Sequence, residues 1–260
     1  MFKQVVNMNY GILLSGGTGT RTGADIPKQY VRVKGHMMVT RALSVLLSNL
    51  RIDKVVITAD EAWRDEIIKD ASDAGLDTGK ILGFADPGET RQLSILSAIE
   101  YIYDHSGNAP CPTEAGACGR TDIGNPGGTV NDTVLVHDAA RPYLSQELIS
   151  DCYDALDGYD GVMPVLPMKD TVYLSEDGKG ITGLLDRKSV YAGQAPELFK
   201  LKAYYEANKR LLPDAIFKIN GASEPAVMAG MKIAMIPGDE KNVKVTSAVD
   251  LEKFMENIGK

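Results

Sequence analysis

The chain has 260 residues, of which 44% are hydrophobic and 24% are charged, so it is long enough to bury a sizeable core. Its formal net charge of −7 at pH 7 argues against broad binding to nucleic acid or to an anionic membrane, and no apolar run approaches membrane-spanning length. Three scattered cysteines, Cys111, Cys118 and Cys152, provide neither a disulfide framework nor a zinc-binding spacing, so we expect a reducing, cytoplasmic setting.

Strands and helices alternate along the chain. Short apolar runs predict strands at 10–14, 54–59, 80–84, 133–137, 161–167 and 232–237. Apolar residues at helical spacing predict helices at 37–50, 61–74, 93–103, 146–156, 197–211 and 247–258. This alternation, with no internal repeat and no domain linker, predicts an α/β fold: a mostly parallel, Rossmann-like sheet with helices on both faces.

Two regions interrupt the alternation. Residues 104–132 are rich in Gly, Pro, Thr and Asn, and we interpret them as a surface loop inserted into the domain. Residues 168–194 contain strand-like pieces around the turn SEDGKG, which favours a β-arm that leaves the main sheet. Arms of this kind commonly join two subunits.

A glycine-rich turn, SGGTGTRTG at 15–23, follows the first strand, where parallel sheets bind ligands. It is not a P-loop, because no Lys-Ser or Lys-Thr pair follows the glycines. It also departs from the dinucleotide fingerprint, because Gly17, Gly19 and Gly23 are spaced one residue too widely and Asp60 lies too far along. A dehydrogenase is therefore disfavoured.

The cations around this turn favour a triphosphate ligand. Arg21 lies within the turn, and Lys28 follows Pro27, which restricts the backbone and holds the ammonium in place. Glycines let backbone N–H groups surround phosphate oxygens, and an arginine can bind two such oxygens at once. A glycine-rich turn alone is more often only a turn, but these cations at these offsets favour phosphate binding.

The segment SGGTGTRTGADIPKQY (15–30) resembles the signature loop of the sugar- and polyol-phosphate cytidylyltransferases. Further blocks match that family in order: PGETRQLSIL (87–96), VLVHDAARP (134–142), PMKDTV (167–172), LLDRKSVYAGQAP (184–196) and NVKVTSAVDL (242–251). The nearest branches are the 2-C-methyl-D-erythritol 4-phosphate and the ribitol-5-phosphate cytidylyltransferases. The resemblance implies one nucleotidyltransferase domain over 1–260, Mg²⁺ as cofactor, and a homodimer joined through the β-arm.

The resemblance also implies a role for each matched residue. Catalytic roles fall on four cations that would neutralise the triphosphate and the transition state: Arg21, Lys28, Arg187 and Lys244. Nucleotide binding falls on Ser15, Gly16, Gly17, Thr18, Gly19, Gly88, Glu89, Ser94 and Ala139. Acceptor binding falls on Asp138, Arg141, Thr171 and Arg187. Asp138 is also the expected Mg²⁺ ligand, and Arg187 is expected to act in the neighbouring subunit's site.

Alternatives stay open for the acceptor and for the activity. The motif HDAARP and Glu224 favour 2-C-methyl-D-erythritol 4-phosphate and isoprenoid precursor synthesis, which is the reading we favour. The motifs GGTGTRTG and YAGQAP favour ribitol 5-phosphate and the synthesis of wall or capsule polymers. A sugar transferase of similar topology is disfavoured, because the sequence contains no Asp-x-Asp triplet. A non-catalytic, nucleotide-binding regulatory protein would have lost the cations that this sequence keeps.

Overall fold

The computed structural model describes residues 7–17, 26–105 and 131–257. The strands in these ranges are β1 (Asn9–Leu14), β2 (Arg32–Val33), β3 (His36–Met37), β4 (Lys54–Thr58), β5 (Ile81–Ala85), β6 (Thr133–Asp138), β7 (Gly161–Pro167), β8 (Val172–Leu174), β9 (Gly183–Leu185), β10 (Tyr191–Gly193), β11 (Glu197–Lys200) and β12 (Ile233–Pro237). The helices are α1 (Met38–Ser48), α2 (Glu61–Asp73), α3 (Arg91–His105), α4 (Gln146–Asp154), α5 (Leu201–Lys209), α6 (Glu224–Met228) and α7 (Ala248–Asn257). None of these described helices has the length and apolar character that a membrane crossing requires.

The main sheet is mixed and is built around parallel strands. Its order within the described residues is β10-β7-β11-β6-β1-β4-β5, and β12 also pairs with β7. Strand β1 lies between β4 and β6 and runs parallel to both, and β4 runs parallel to β5. The antiparallel strand β11 lies between β6 and β7. The predicted α/β class with a mostly parallel sheet is therefore confirmed.

The carboxyl ends of three neighbouring strands are level with one another. Leu14, the last residue of β1, pairs with Thr58 in β4 and with Asp138 in β6. Because these strands are parallel, the turns that follow them leave from the same edge of the sheet. The start of the glycine turn and the segment after β6 are therefore neighbours in space, as the sequence predicts.

Helices cover both faces of this sheet. Alternate residues of a strand point to opposite faces. Leu13 packs into a core with α1, α2 and α4, whereas Ile12 packs into a second core with α3, α5 and α6, and both residues are fully buried. Close packing on both sides gives the turns at the carboxyl edge a rigid base.

The helix predicted at 197–211 is wrong in its first turn. Residues Glu197–Lys200 form strand β11, and helix α5 begins at Leu201. Within β11, Leu198 packs in one core and Phe199 in the other, so the strand is buried on both faces. A strand of that kind reads as a short continuous apolar run, which periodicity alone does not separate from a helix. Pairing with β6 and β7 decides the outcome.

The predicted β-arm is present as a separate two-stranded sheet. Strands β8 and β9 pair only with each other in the described sheets, and the chain returns to the main sheet at β10. The arm exposes several large apolar side chains to solvent, among them Leu174, Ile181 and Leu184. The predicted insertion at 104–132 lies mostly outside the described residues.

Candidate active site

A cavity of about 660 Å³ opens at the carboxyl edge of β1, β4 and β6. It is bounded by the glycine turn after β1, the turn before α3 and the end of β6. The predicted site residues that line it are Ser15, Gly16, Gly17, Lys28, Gly88, Glu89, Ser94, Asp138 and Lys244. Residues from opposite ends of the sequence therefore share one cleft.

The start of the glycine turn, at Gly16, lies close against the turn before α3. A Cβ added at Gly16 would lie 2.2 Å from Pro87 Cβ, and one added at Gly88 would lie 2.4 Å from Leu93 Cβ. Neither position accepts a larger residue unless its neighbour shifts. Ser94 Oγ accepts a hydrogen bond from the Gly88 N–H at 3.0 Å, which fixes the second turn. Two backbone segments are thus held close together on one wall of the cavity.

The short 3-10 helix that begins at Lys28 holds the start of the glycine turn, residues 15–17, in place. Gln29 Nε2 donates to the carbonyl oxygens of Ser15 and Gly17, both at 2.6 Å. Tyr30 donates its hydroxyl to the same Ser15 oxygen at 2.8 Å. Lys28 lines the cavity with only 9% of its surface exposed. No sequence pattern assigns a role to Gln29 or Tyr30, although both stand in the signature block.

Asp138, at the end of β6, lies between three cations. Its Oδ1 is 3.2 Å from Arg91 Nε, and its Oδ2 is 2.9 Å from Lys244 Nζ and 3.8 Å from Arg141 Nε. Burial alone would raise the pKa of this carboxyl, but the charges of Arg91 and Lys244 outweigh it and hold the pKa well below its usual range. Asp138 is therefore an ionised carboxylate at neutral pH.

Arg91, the first residue of α3, is a site residue that no sequence pattern singles out. It lines the cavity beside Asp138, and its Nη2 lies 3.5 Å from Glu197 Oε1. Burial alone would lower the pKa of Arg91, and the two carboxylates raise it above its usual value. Arg91 stands inside the matched block 87–96, but nothing local to that block reveals partners so far along the chain.

Ala139 and Arg141 lie beside Asp138 without lining the cavity. Ala139 is fully buried, and its N–H donates to the Leu14 carbonyl oxygen at 2.9 Å. Arg141 donates its Nη1 to the Asn242 carbonyl oxygen at 2.6 Å, which ties the end of β6 to the segment that bears Lys244. Their predicted contacts with nucleotide and acceptor stay predictions.

Thr171 and Arg187 lie on the arm and do not line the cavity. Both residues are exposed, and Arg187 donates its Nη1 to the Lys169 carbonyl oxygen at 2.7 Å. A single chain therefore does not bring these two residues together with Asp138 in the cavity lining. Outside the described residues lie three further predicted site residues, Thr18, Gly19 and Arg21.

His137, next to Asp138, is a packing residue. It is fully buried, and its Nε2 lies 3.1 Å from the Arg141 carbonyl oxygen. Burial lowers the pKa of His137 to about 4, so the imidazole is neutral at pH 7 and donates that hydrogen bond. Among the described residues, no group of three or more His, Cys, Asp or Glu side chains is arranged to hold a metal ion. A metal in the cavity would draw on carboxylates of its lining, among which Asp138 is the expected ligand, and on oxygens that a ligand brings.

Sequence comparison finds a family model described as 2-C-methyl-D-erythritol 4-phosphate cytidylyltransferase (IspD), which matches residues 10–108 and 126–256. A protein of that name from Thermotoga neapolitana is 29% identical over 248 residues, which cover 94% of each chain. The bifunctional enzyme IspD/IspF from Maricaulis maris is 30% identical over 95% of this chain and 56% of its own length. The bifunctional ribulose 5-phosphate reductase/CDP-ribitol pyrophosphorylase Bcs1 from Haemophilus influenzae is 28% identical over 94% of this chain and 47% of its own length. The chain thus spans about half the length of the two bifunctional relatives.

Solved structures confirm the fold. A 4-diphosphocytidyl-2C-methyl-D-erythritol synthase from Anaerococcus prevotii has a TM-score of 0.73 at 23% identity, with 98% of this chain and 97% of that chain covered. A 2-C-methyl-D-erythritol 4-phosphate cytidylyltransferase from Francisella tularensis has a TM-score of 0.71 at 22% identity, with 95% and 98% covered.

Proposed function

Because the chain belongs to the 2-C-methyl-D-erythritol 4-phosphate cytidylyltransferase family, we propose that it transfers the cytidylyl group of CTP to 2-C-methyl-D-erythritol 4-phosphate. The products are a CDP-alcohol and pyrophosphate, and the reaction serves isoprenoid precursor synthesis. The observation that carries this proposal is that Lys28, Asp138 and Lys244 line one cavity beside the glycine turn. We also propose a cytoplasmic location, in keeping with the free, buried thiol of Cys152.

The reaction depends on charge neutralisation more than on proton transfer. The attacking group is a phosphate oxygen that is already ionised at neutral pH, so no general base is required. The barrier arises because a dianion approaches a triphosphate, and fixed positive charges near the α-phosphorus lower it. Lys28 and Lys244 suit this role, because both line the cavity and Lys28 is almost entirely buried.

The wall formed by Gly16 and Gly88 suits the nucleoside part of CTP. Both residues line the cavity, and their lack of a Cβ lets the two turns pack against each other, so this wall presents backbone groups to a planar base. Backbone N–H and C=O groups distinguish donors from acceptors, and cytosine and uracil differ in that respect at N3 and at the exocyclic group on C4. Ser94, which fixes Gly88 by a hydrogen bond, supports this wall.

The residues present fit Mg²⁺ as the expected cofactor. Mg²⁺ is usually bound by one or two carboxylates together with substrate phosphates and water, so it needs no cage of protein ligands. Asp138 supplies an ionised carboxylate in the cavity and would hold the ion. When bound, Mg²⁺ neutralises phosphate charge and orients the phosphate oxygens. Lys244 contacts Asp138 Oδ2 and would turn its ammonium to a phosphate oxygen instead.

We further propose a homodimer in which the β-arm of one chain completes the cavity of the other. The acceptor-binding candidates Thr171 and Arg187 lie on the arm, away from the cavity lining of their own chain. The apolar side chains that the arm exposes would be removed from water against a second copy. The second chain would thereby supply Arg187, the cation that binds the acceptor phosphate.

Ribitol 5-phosphate is the second candidate acceptor. The observation that favours it is the Haemophilus influenzae relative, whose name includes CDP-ribitol pyrophosphorylase and whose match extends over 94% of this chain. Both acceptors present a phosphomonoester on a polyol, so the cations of the cavity do not separate them. Contacts with the hydroxyls and with the methyl branch decide between them.

The test is pyrophosphate release from CTP and Mg²⁺ with either acceptor. We expect kcat/KM for 2-C-methyl-D-erythritol 4-phosphate to exceed that for ribitol 5-phosphate by at least about tenfold, the scale of discrimination that a few pocket contacts supply. The reverse order would assign the second acceptor. If calorimetry shows that CTP binds but neither acceptor yields pyrophosphate, the protein is a non-catalytic nucleotide-binding protein and the proposed activity is wrong.

A further inference from the structure

We infer that Arg91 is a positioning residue for the Asp138 carboxylate, and that Glu197 and Ser223 anchor Arg91 from inside the protein. The inference rests on the proposed function, in which Asp138 is the carboxylate that faces the reacting phosphates. It adds a role for three residues that the matched motifs leave without one.

The anchor runs from the cavity into the interior. Arg91 Nε lies 3.2 Å from Asp138 Oδ1, and Arg91 Nη2 lies 3.5 Å from Glu197 Oε1. Ser223 in turn donates its hydroxyl to Glu197 Oε2. Glu197 belongs to β11 and pairs with Val136, two residues before Asp138 in β6. The guanidinium is thus held at two points by carboxylates on neighbouring strands.

The other cations on Asp138 are held differently. Lys244 reaches Oδ2 with a side chain that is 37% exposed, and Arg141 lies farther away and donates to a backbone carbonyl oxygen. Arg91 contacts Oδ1 and is only 25% exposed. When Lys244 turns to a phosphate, the contact between Arg91 and Oδ1 still fixes the carboxylate plane.

The chemistry of the anchor requires an arginine and a side-chain oxygen of Glu197 that accepts from it. A guanidinium presents donors in a rigid planar fork and can bind two carboxylates at once, whereas an ammonium is a single point charge on a flexible chain. The backbone of Arg91 is also fixed, because the adjacent Gln92 donates its Nε2 to the buried Tyr204 hydroxyl at 3.1 Å. Replacing the Glu197 carboxyl group with an amide would change the contacts that Glu197 makes with Arg91 and Ser223, and would loosen the contact between Arg91 and Asp138.

A double-mutant cycle on kcat tests the inference. Arg91→Ala should lower kcat by about 10²-fold, the usual cost of a small misplacement of a reacting group, with little change in KM for CTP. In the Asp138→Asn background, adding Arg91→Ala should lower kcat by less than about threefold, because Arg91 acts through a carboxylate that is already lost. If the decrease in kcat of the double mutant equals the product of the two single-mutant decreases, the inference is overturned.

Two further variants keep the test decisive. Glu197→Gln preserves the size of the side chain and should lower kcat by about tenfold, again only when Asp138 is present. If Arg91→Ala does not fold, Glu197→Gln takes its place in the double-mutant cycle. Arg64→Ala is the matched control, because Arg64 is similarly exposed at 26% and is ion-paired with Asp86 outside this cluster. We expect Arg64→Ala to leave kcat unchanged, and a loss equal to that of Arg91→Ala would overturn the inference, because Arg64 is ion-paired outside this cluster.

A crystal structure of Arg91→Ala gives a readout that does not depend on turnover. We expect the Asp138 carboxylate to rotate away from its wild-type orientation. An unmoved carboxylate would overturn the inference even in a protein that transfers cytidylyl groups. Conversely, wild-type protein without pyrophosphate release would overturn the proposed function, while a rotated carboxylate in the variant would still support the positioning role.

Discussion

The polar side chains at the cavity and those on the β-arm differ in burial and in their partners. At the edge, Asp138 contacts three cations and Lys28 is almost entirely buried. On the arm, Thr171 and Arg187 are exposed, and Arg187 bonds to a backbone carbonyl oxygen of the arm itself. This contrast is the one expected from the proposed homodimer, in which one chain provides the nucleotide-binding part of the site and a second chain provides the acceptor-binding part.

Loss of a cavity cation should have the largest effect. Lys28→Ala is expected to lower kcat by about 10³-fold, the scale set by removing one fixed charge from a transition state, with a much smaller change in the Kd for CTP. Steady-state kinetics and calorimetry measure the two quantities. Lys80→Ala is the matched control, because Lys80 Nζ donates to carbonyl oxygens of Asn49 and Ile52 away from the cavity. If only KM for CTP rises, Lys28 is a ground-state clamp.

Loss of an arm cation should have a smaller and more selective effect. Arg187→Ala is expected to lower kcat/KM for the acceptor by about 10²-fold, as expected when one partner of a charged contact is removed, while CTP binding stays unchanged. A mixture of two variants tests whether the arm acts across the dimer.

If it does, Lys28→Ala and Arg187→Ala chains that are refolded together form one intact site per heterodimer, and turnover exceeds that of either variant alone. A mixture no more active than its components, or equal loss of CTP binding, contradicts this assignment.

The smallest expected effect is on stability at mildly acid pH. Burial lowers the pKa of His137 from 6.5 to about 4 in the folded chain, so the unfolded chain binds this proton at higher pH. The stability from His137 is therefore fully present above its unfolded pKa and is lost as the pH falls towards 4, by at most about 1.4 kcal/mol per pH unit. His137→Gln keeps a donor for the Arg141 carbonyl oxygen and should reduce this slope in urea unfolding between pH 7 and pH 5. An unchanged slope would assign the acid sensitivity to other groups.

Local patterns predict the framework and the positions of the residues that we propose to bind the nucleotide. The strand that ends at Leu14 and the one that ends at Asp138 are visible as apolar runs, and their parallel pairing follows from alternation with helices. The rule that ligands bind at carboxyl ends then indicates the edge of the sheet at which the cavity lies. The family resemblance adds Lys244, whose local sequence carries no physical signal of its own.

Long-range contacts decide the features that sequence patterns did not reveal. Residues Glu197–Lys200 form a strand because two neighbouring strands pair with them, which their own periodicity does not encode. Arg91 joins Asp138 and Glu197, which are far from it and from each other in the sequence. Gln29 looks like an ordinary polar residue until the fold brings the glycine turn within reach of its side chain.

The most direct test of the account is a crystal structure of the protein with Mg²⁺ and a non-hydrolysable CTP analogue. We expect the ammonium groups of Lys28 and Lys244 both to lie within hydrogen-bond distance of oxygens on the α-phosphate. A nucleotide bound outside the cavity, or one whose α-phosphate contacts neither lysine, would contradict it.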